Sequence, residues 1–174
     1  MLIKGKSMLQ SVLDVFRKAN VDRVVVVLGA NERRVRKTVK FDREKIIVNR
    51  SYAKGLSSSL RLGVAKAGPE AEAVIVALGD QPFVSPSTIV KLIEGYRNSH
   101  ALVVIPVHRG TRGNPVLLDR RLFQEVGKIR GDVGAKSIFE SRDIFTLEVP
   151  VRDKGVTIDI DTPKDYESAL DHSK

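Results

Sequence analysis

Residues 73–84 read AVIVALGDQPFV, an apolar run that ends at a carboxylate. The aliphatic residues up to Leu78 predict a buried strand, and Gly79 and Asp80 follow it directly. Parallel sheets place their ligands outside the carboxyl ends of the strands. This stretch therefore puts Asp80 and Gln81 where a ligand of a parallel sheet is expected.

Apolar runs alternate with amphipathic stretches along the whole chain. The predicted strands are 23–29, 45–49, 73–78, 101–107, 114–118, 144–149 and 156–160. The predicted helices are 8–19, 31–39, 56–67, 85–99, 119–127, 134–141 and 163–170, with Asn31 and Ser85 as N-caps of two of them. This order predicts an α/β layered fold with a mostly parallel sheet, and we expect one domain over residues 1–174 because no repeat or linker interrupts it.

Composition narrows the class of protein further. The chain of 174 residues has no Cys, which excludes disulfides and thiolate metal sites, and no stretch approaches the ~20 apolar residues that span a bilayer. We therefore expect a cytoplasmic protein with no membrane partner. Its net charge of +9, from 30 Lys and Arg against 21 Asp and Glu, suits a nucleotide or phosphorylated cofactor, or reflects only a solvated surface. Nucleic acid is not an expected partner, because interleaved aromatics and reading motifs are missing.

Two acidic stretches are candidates for a metal site. Asp80 can hold Mg²⁺, which prefers oxygen ligands, or it can simply cap the turn after the strand. Asp159 and Asp161, in DIDTPKDY (159–166), project from one face of an extended segment and repel each other unless a cation lies between them. The alternative is that Asp161 or Thr162 caps a helix that Pro163 begins.

Three further stretches combine glycine with polar or basic residues. Residues 52–64 place hydroxyls and cations at a helix start that suits a phosphate or nucleobase, or is an ordinary serine-capped helix. Residues 108–119 form a basic loop around Arg112, or a solvated hairpin, and Asp132 is predicted to cap a helix that begins near Gly134. No GxSxG, GxxxxGK[ST] or GxGxxG motif and no metal-ligand spacing of His is present.

These stretches, in this order, resemble the MobA-like nucleotidyltransferases, and most closely their molybdenum-cofactor cytidylyltransferase (MocA-like) branch. The resemblance covers almost the whole chain, and LGDQPFV followed by DIDTP is its most specific part. The matching segments are GKSMLQSVLD (5–14), VVVLGA (25–30), GLSSSLRLGV (55–64), ALGDQPFVSPSTI (77–89), RGNPVLLD (112–119), GDVGAK (131–136) and DIDTPKDY (159–166).

The resemblance implies a three-layer α/β/α sandwich of the nucleotide-diphospho-sugar transferase type. It also implies Mg²⁺-dependent transfer of NMP from an NTP, CTP in this branch, to a phosphorylated pterin cofactor, with a molybdoenzyme as the recipient of the product. The catalytic residues would be Asp80 and Asp161, and the metal ligands Asp80, Asp159 and Asp161. The substrate-binding residues would be Lys54, Gly55, Ser57, Ser58, Ser59, Arg61, Gln81, Arg112, Asn114, Pro115 and Asp132.

The family's N-terminal LAAGxSxRMGxxK strand and loop, which wraps the triphosphate, has no counterpart here, and residues 1–6 match the segment just after it. We expect the first strand of the sheet to be missing, either because the recorded start lies inside a longer protein or because this chain is short and weakly active. Two alternatives remain at this point. One is a non-catalytic protein that binds a nucleotide or pterin cofactor, and the other is a guanylyltransferase of the same superfamily.

Overall fold

The computed structural model describes residues 2–3, 5–140, 143–160, 162 and 165. Its strands are β1 (Leu2–Ile3), β2 (Lys6–Ser7), β3 (Val25–Leu28), β4 (Lys45–Val48), β5 (Ala73–Val76), β6 (Val103–His108), β7 (Thr111–Arg112), β8 (Val116–Asp119) and β9 (Thr146–Pro150). Its α-helices are α1 (Met8–Lys18), α2 (Glu32–Thr38), α3 (Leu56–Ala67), α4 (Pro86–Ser99), α5 (Phe123–Lys128) and α6 (Lys136–Phe139). Short 3₁₀ turns cover Tyr52–Lys54, Arg120–Leu122 and Lys154–Thr157.

The main sheet has five strands, in which β8 lies between β5 and β6, and β7 and β9 also pair with β6. β9 runs parallel to β6, whereas β8 runs antiparallel to both of its neighbours. β5, β6 and β9 therefore point the same way, and their carboxyl ends share one edge of the sheet. β3 and β4 form a separate parallel pair, and no described pairing joins β3 to β5.

The predicted α/β class is confirmed, with a mixed main sheet rather than a mostly parallel one. The exceptions are β7 and β8, which both run antiparallel to β6, and β8 follows β6 after only a short connection through β7. A connection of that length can only return the chain antiparallel, since a parallel return needs a crossover of a dozen residues or more.

Helices cover both faces of the main sheet and bury the apolar residues of its central strands. Val103 and Ile105 of β6 pack on one face with residues of α3, α5 and α6, whereas Val104 packs on the other face with Leu92 of α4. Alternate residues of a strand point to opposite faces, so this arrangement produces helix, sheet and helix layers. No helix of the described residues is both long and apolar enough to cross a membrane.

Two local predictions are wrong. Residues 156–160 do not form a strand: Lys154–Thr157 is a 3₁₀ turn in which the Asp153 carboxylate accepts the N–H of Gly155, at 2.9 Å. Asn31 precedes α2, but it has a left-handed backbone with φ of 59° and makes no side-chain cap. The helix predicted at 163–170 lies outside the described residues except for Asp165.

Candidate functional site

Asp80 lies just beyond the carboxyl end of β5, as the sequence predicts. Its side chain is half-buried, and the carboxylate oxygen Oδ1 is fully buried. Its backbone carbonyl accepts a hydrogen bond from the N–H of Ile160, at 3.2 Å. The DID segment, which is remote in sequence, therefore lies against this strand end.

Gln81 makes a second connection between the two segments. This residue is only 3% exposed, and its Nε2 donates a hydrogen bond to the carboxylate of Asp159, whose side chain is exposed. Asp80, Gln81 and Asp159 are thus neighbours at one edge of the sheet. Asp161, the other predicted acidic residue, lies outside the described residues.

The DIDTP stretch is expected either to hold a cation or to cap a helix, and the hydrogen bonds of Thr162 bear on the second role. The Thr162 hydroxyl accepts from the N–H of Asp165 at 3.2 Å, and the Asp165 carboxylate accepts from the N–H of Thr162 at 2.8 Å. This reciprocal pair is a capping box. These two hydrogen bonds favour Thr162 in the capping role that the sequence left open between Asp161 and Thr162, and Asp161 itself lies outside the described residues.

The loop with Asn114 and Pro115 packs against the 3₁₀ turn Lys154–Thr157, which precedes the DID segment. The N–H of Asn114 donates to the carbonyl of Val156 at 2.9 Å, and the following peptide bond to Pro115 is cis. A Cβ on Gly113 would overlap that carbonyl. The loop and the 154–160 segment are therefore in backbone contact, which places Asn114 and Pro115 on the Asp80 side of the molecule. Arg112 points to Glu148 instead, in an ion pair of 2.7 Å.

A second group of predicted residues surrounds the N-terminus of α3. Gly55 has φ of 93°, and a Cβ there would overlap the carbonyl of Gly131. The Asp132 carboxylate accepts the N–H of Leu56 at 3.1 Å, and the Gly131 carbonyl accepts that of Ser57 at 3.3 Å. Asp132 thus caps α3 and not α6, which begins at Lys136 without a side-chain cap, so that prediction is wrong. The segment that contains Asp132 contacts the first residues of α3. A sequence pattern describes only near neighbours along the chain, so it does not predict a contact between such distant residues.

Asn49 belongs to this group although the sequence did not assign it a role. Its Nδ2 donates to the hydroxyls of Ser58, at 2.8 Å, and Ser59, at 3.0 Å. Asn49 follows β4 directly, and Asp80 follows β5 after three intervening residues. This position beyond a strand end is the signal that marks the polar stretch 49–59 in the sequence, although it gives Asn49 no role. Lys54 closes the 3₁₀ turn before α3, and its side chain is exposed.

Ser57 and Arg61 carry buried polar atoms on this helix. Ser57 is 1% exposed, and neither its Oγ nor the Nε of Arg61 has a hydrogen-bond partner among the described residues. The two residues are four apart in α3, so they share one face of the helix. Buried polar atoms without partners cost stability, and such a cost is common where a ligand completes the site.

The donor set at the strand end suits a hard cation, since Asp80 and Asp159 supply oxygen ligands. The described residues contain no cluster of three or more acidic, His or Cys side chains that could hold a metal. A cation between these two carboxylates would therefore need further oxygen ligands from a substrate or water.

Carboxylates beyond the strand ends of a three-layer α/β/α sandwich are the arrangement expected of a protein that binds a ligand at this edge of the sheet. A model of the MobA-like NTP transferase domain matches residues 1–146, and the chain belongs to this family.

Solved structures share the fold. Rv0371c of Mycobacterium tuberculosis H37Rv superposes with a TM-score of 0.87 at 27% identity, covering 98% of this chain and 87% of that one. A second structure of Rv0371c is a complex with manganese. Molybdopterin-guanine dinucleotide biosynthesis protein A of Archaeoglobus fulgidus matches with a TM-score of 0.72 at 18% identity, over 99% of this chain and 88% of that one, and shows the fold alone.

One relative is named for a redox reaction and not for a transfer reaction. Nicotine blue oxidoreductase of Paenarthrobacter nicotinovorans is 27% identical over 165 residues, which are 91% of this chain and 80% of that protein. The family is therefore named for a transfer reaction and this relative for a redox reaction, and the activity must be argued from the site.

Proposed function

We propose that this chain is a nucleotidyltransferase that joins NMP from an NTP to a phosphorylated molybdopterin-type cofactor and releases pyrophosphate. CTP is the proposed donor, because the motifs resemble the cytidylyltransferase branch most closely. The observation that carries the proposal is the pair of hydrogen bonds that hold Asp159 and Ile160 against Gln81 and Asp80. They bring two carboxylate-bearing segments to the ligand edge of the sheet.

Asp80 and Asp159, with Asp161 as predicted, are the residues that would hold a divalent cation, Mg²⁺ in our proposal. A divalent cation in such a site neutralises phosphate charge and orients the reacting groups. Manganese in the structure of Rv0371c supports a divalent metal for this fold. Gln81 positions the Asp159 carboxylate, because the buried amide restricts where that exposed side chain can lie.

The N-terminus of α3 is the proposed nucleotide-binding region. Its N–H groups at Leu56 and Ser57 are already bonded to Asp132 and Gly131, so they do not receive a phosphate. The buried hydroxyl of Ser57 and the Nε of Arg61 remain as donors for the nucleotide. Arg61 would supply a charge-assisted hydrogen bond, which is stronger than a neutral one.

Replacement of Asp80 tests the proposal. We expect the chain, supplied with CTP, Mg²⁺ and the phosphorylated pterin, to release pyrophosphate, and Asp80→Asn to lower the rate by about a hundredfold or more, as loss of one preorganised electrostatic group does. A chelator should abolish the rate, and Mg²⁺ or Mn²⁺ should restore it. Asp22→Asn is the matched control, because Asp22 is an exposed carboxylate outside the site. Full activity of Asp80→Asn would rule out the metal-site assignment.

The choice of nucleobase is tested in the same assay. If GTP replaces CTP with a higher kcat/KM, the chain is a guanylyltransferase of the same superfamily. Calorimetric binding of nucleotide or pterin without pyrophosphate release would identify a non-catalytic binding protein instead.

One relative favours a second candidate, an oxidoreductase, because nicotine blue oxidoreductase aligns with 91% of this chain. Oxidation of NADH or NADPH in the presence of a dye acceptor is the direct test. Redox turnover that persists in Asp80→Asn would favour this second candidate over nucleotidyl transfer.

A further inference from the structure

A basic cleft opens beside the candidate site. Its volume is about 520 Å³, and it is lined by His108, Arg109, Thr111, Arg152, Lys154 and Thr157. β6 ends at His108 and β9 at Pro150, so the cleft lies at the carboxyl ends of these parallel strands. β5 runs in the same direction, so the cleft shares its edge of the sheet with Asp80.

The 3₁₀ turn Lys154–Thr157 lies between the cleft and the Asp80 site. On one side, Lys154 and Thr157 line the cleft. On the other side, a Cβ on Gly155 would overlap the backbone carbonyl of Phe83, and the chain continues from the turn to Asp159. The turn therefore holds the two regions next to each other through backbone contacts.

The cations of the cleft are available to a ligand. Within the described part of the chain, Arg109, Arg152 and Lys154 take part in no ion pair. The acidic residue between the last two, Asp153, is turned inward: its carboxylate accepts hydrogen bonds from Ser85 N–H and Thr88 Oγ1, each at 2.7 Å. Its charge is thereby committed to the start of α4.

We infer that this cleft binds the phosphate group of the second, phosphorylated substrate. The inference rests on the proposed function, which places the NTP at Asp80 and α3. Three cations that form no ion pair within the described part of the chain, two of them guanidinium groups that match phosphate geometry, suit an anion. The cleft adjoins the strand-end carboxylates without including them, which suits the substrate that approaches the metal-bound nucleotide from the side.

Calorimetry on the full chain at low ionic strength tests the inference, with inorganic phosphate and CTP plus Mg²⁺ as separate probes. Arg152→Gln together with Lys154→Gln removes two charges from the cleft. Lys91→Gln together with Arg97→Gln removes two exposed charges from α4, outside the cleft lining, and is the matched control. We expect phosphate to bind at least tenfold more weakly to the cleft variant and within twofold of normal to the control, with CTP affinity unchanged in both.

Several results would overturn the inference. Equal weakening in both double variants would show a general effect of net charge, and unchanged phosphate affinity would remove the site. Parallel loss of CTP affinity in the cleft variant would assign the cleft to the nucleotide. If Arg109→Gln, an independent single variant, also binds phosphate normally, the cations do not act together. Failure of the proposed function would give a different result. In that case phosphate binds in the cleft but the chain releases no pyrophosphate, and the cleft can then no longer be assigned to an acceptor substrate.

Discussion

The side-chain amide of Gln81 donates a hydrogen bond to the carboxylate of Asp159, 78 residues further along the chain. Gln81 is buried and Asp159 is exposed, so a fixed donor holds one end of a side chain that otherwise moves in solvent. The acidic segment is thereby attached to the end of β5.

Removal of this amide should release the acidic segment. We expect Gln81→Leu, which keeps the side-chain volume, to lower the free energy of unfolding by about 0.5–1.5 kcal/mol, the usual contribution of one hydrogen bond. Urea denaturation of Gln81→Leu, Asp159→Asn and the double variant measures the coupling between the two residues. Strictly additive losses would mean that the hydrogen bond contributes nothing in solution.

Glycine is required where the turn at 154–157 meets its neighbours. A Cβ on Gly113 would overlap the carbonyl of Val156, and one on Gly155 would overlap that of Phe83. Since both obstacles are backbone atoms, we expect Gly113→Ala and Gly155→Ala each to destabilise the protein by about 1–3 kcal/mol and to lower transferase activity.

Gly127 is the control for both substitutions. It lies in α5, and nothing lies within 4 Å of a Cβ placed there. Gly127→Ala should raise stability by about 0.5–1 kcal/mol, because alanine favours a helix. Thermal unfolding of the three variants is the measurement, and equal behaviour of Gly155→Ala and Gly127→Ala would contradict the packing at the turn.

Asp119 makes the stability of the protein depend on pH. Burial opposes its charge, but hydrogen bonds from Arg121 and from the Tyr96 hydroxyl, the latter at 2.8 Å, outweigh burial and lower the Asp119 pKa. A carboxyl whose folded pKa is depressed stabilises the protein above its unfolded pKa of about 3.9 and loses that contribution as the pH falls through the folded pKa.

We expect Asp119→Asn to cost about 1–3 kcal/mol at neutral pH, since it replaces a buried carboxylate that accepts hydrogen bonds from Arg121 and Tyr96. The difference from the unmodified protein should shrink below about pH 4. Urea denaturation from pH 3 to 7 measures this difference in the free energy of unfolding. A difference that is independent of pH would contradict the lowered pKa of Asp119.

Tyr96 gives a second dependence on pH, at the alkaline end. Burial, followed by the hydrogen bond to Asp119, raises the pKa of Tyr96 to about 12. The stability that the neutral hydroxyl contributes is therefore lost as the pH rises from about 10 through that value.

Arg61 offers a test of the nucleotide-binding region. If its guanidinium, whose Nε is buried, donates to the nucleotide, Arg61→Gln should raise the KM for CTP by about tenfold to a hundredfold, the loss expected for a charge-assisted hydrogen bond. Arg97→Gln, an exposed arginine on α4, is the control for a lost positive charge. An unchanged KM for CTP would place the nucleotide elsewhere.

Local signals in the sequence predicted several elements accurately. The bounds of α3 and α4 match their predictions closely, because hydrophobic periodicity and the Ser85 cap with Pro86 act within a few residues. The position of Asp80 followed from the end of one apolar run. The family also followed from the sequence, since its motifs survive in order.

Contacts between remote segments decided the rest. Asp132 caps a helix 76 residues earlier in the chain, and the turn at 154–157 replaces a predicted strand because Asp153 bonds Gly155 and the start of α4. The direction of β8 and the cluster of cations in the cleft likewise depend on how strands pair. Propensity and periodicity describe a residue and its near neighbours, whereas these features arise from hydrogen bonds and packing that exist only after the sheet has formed.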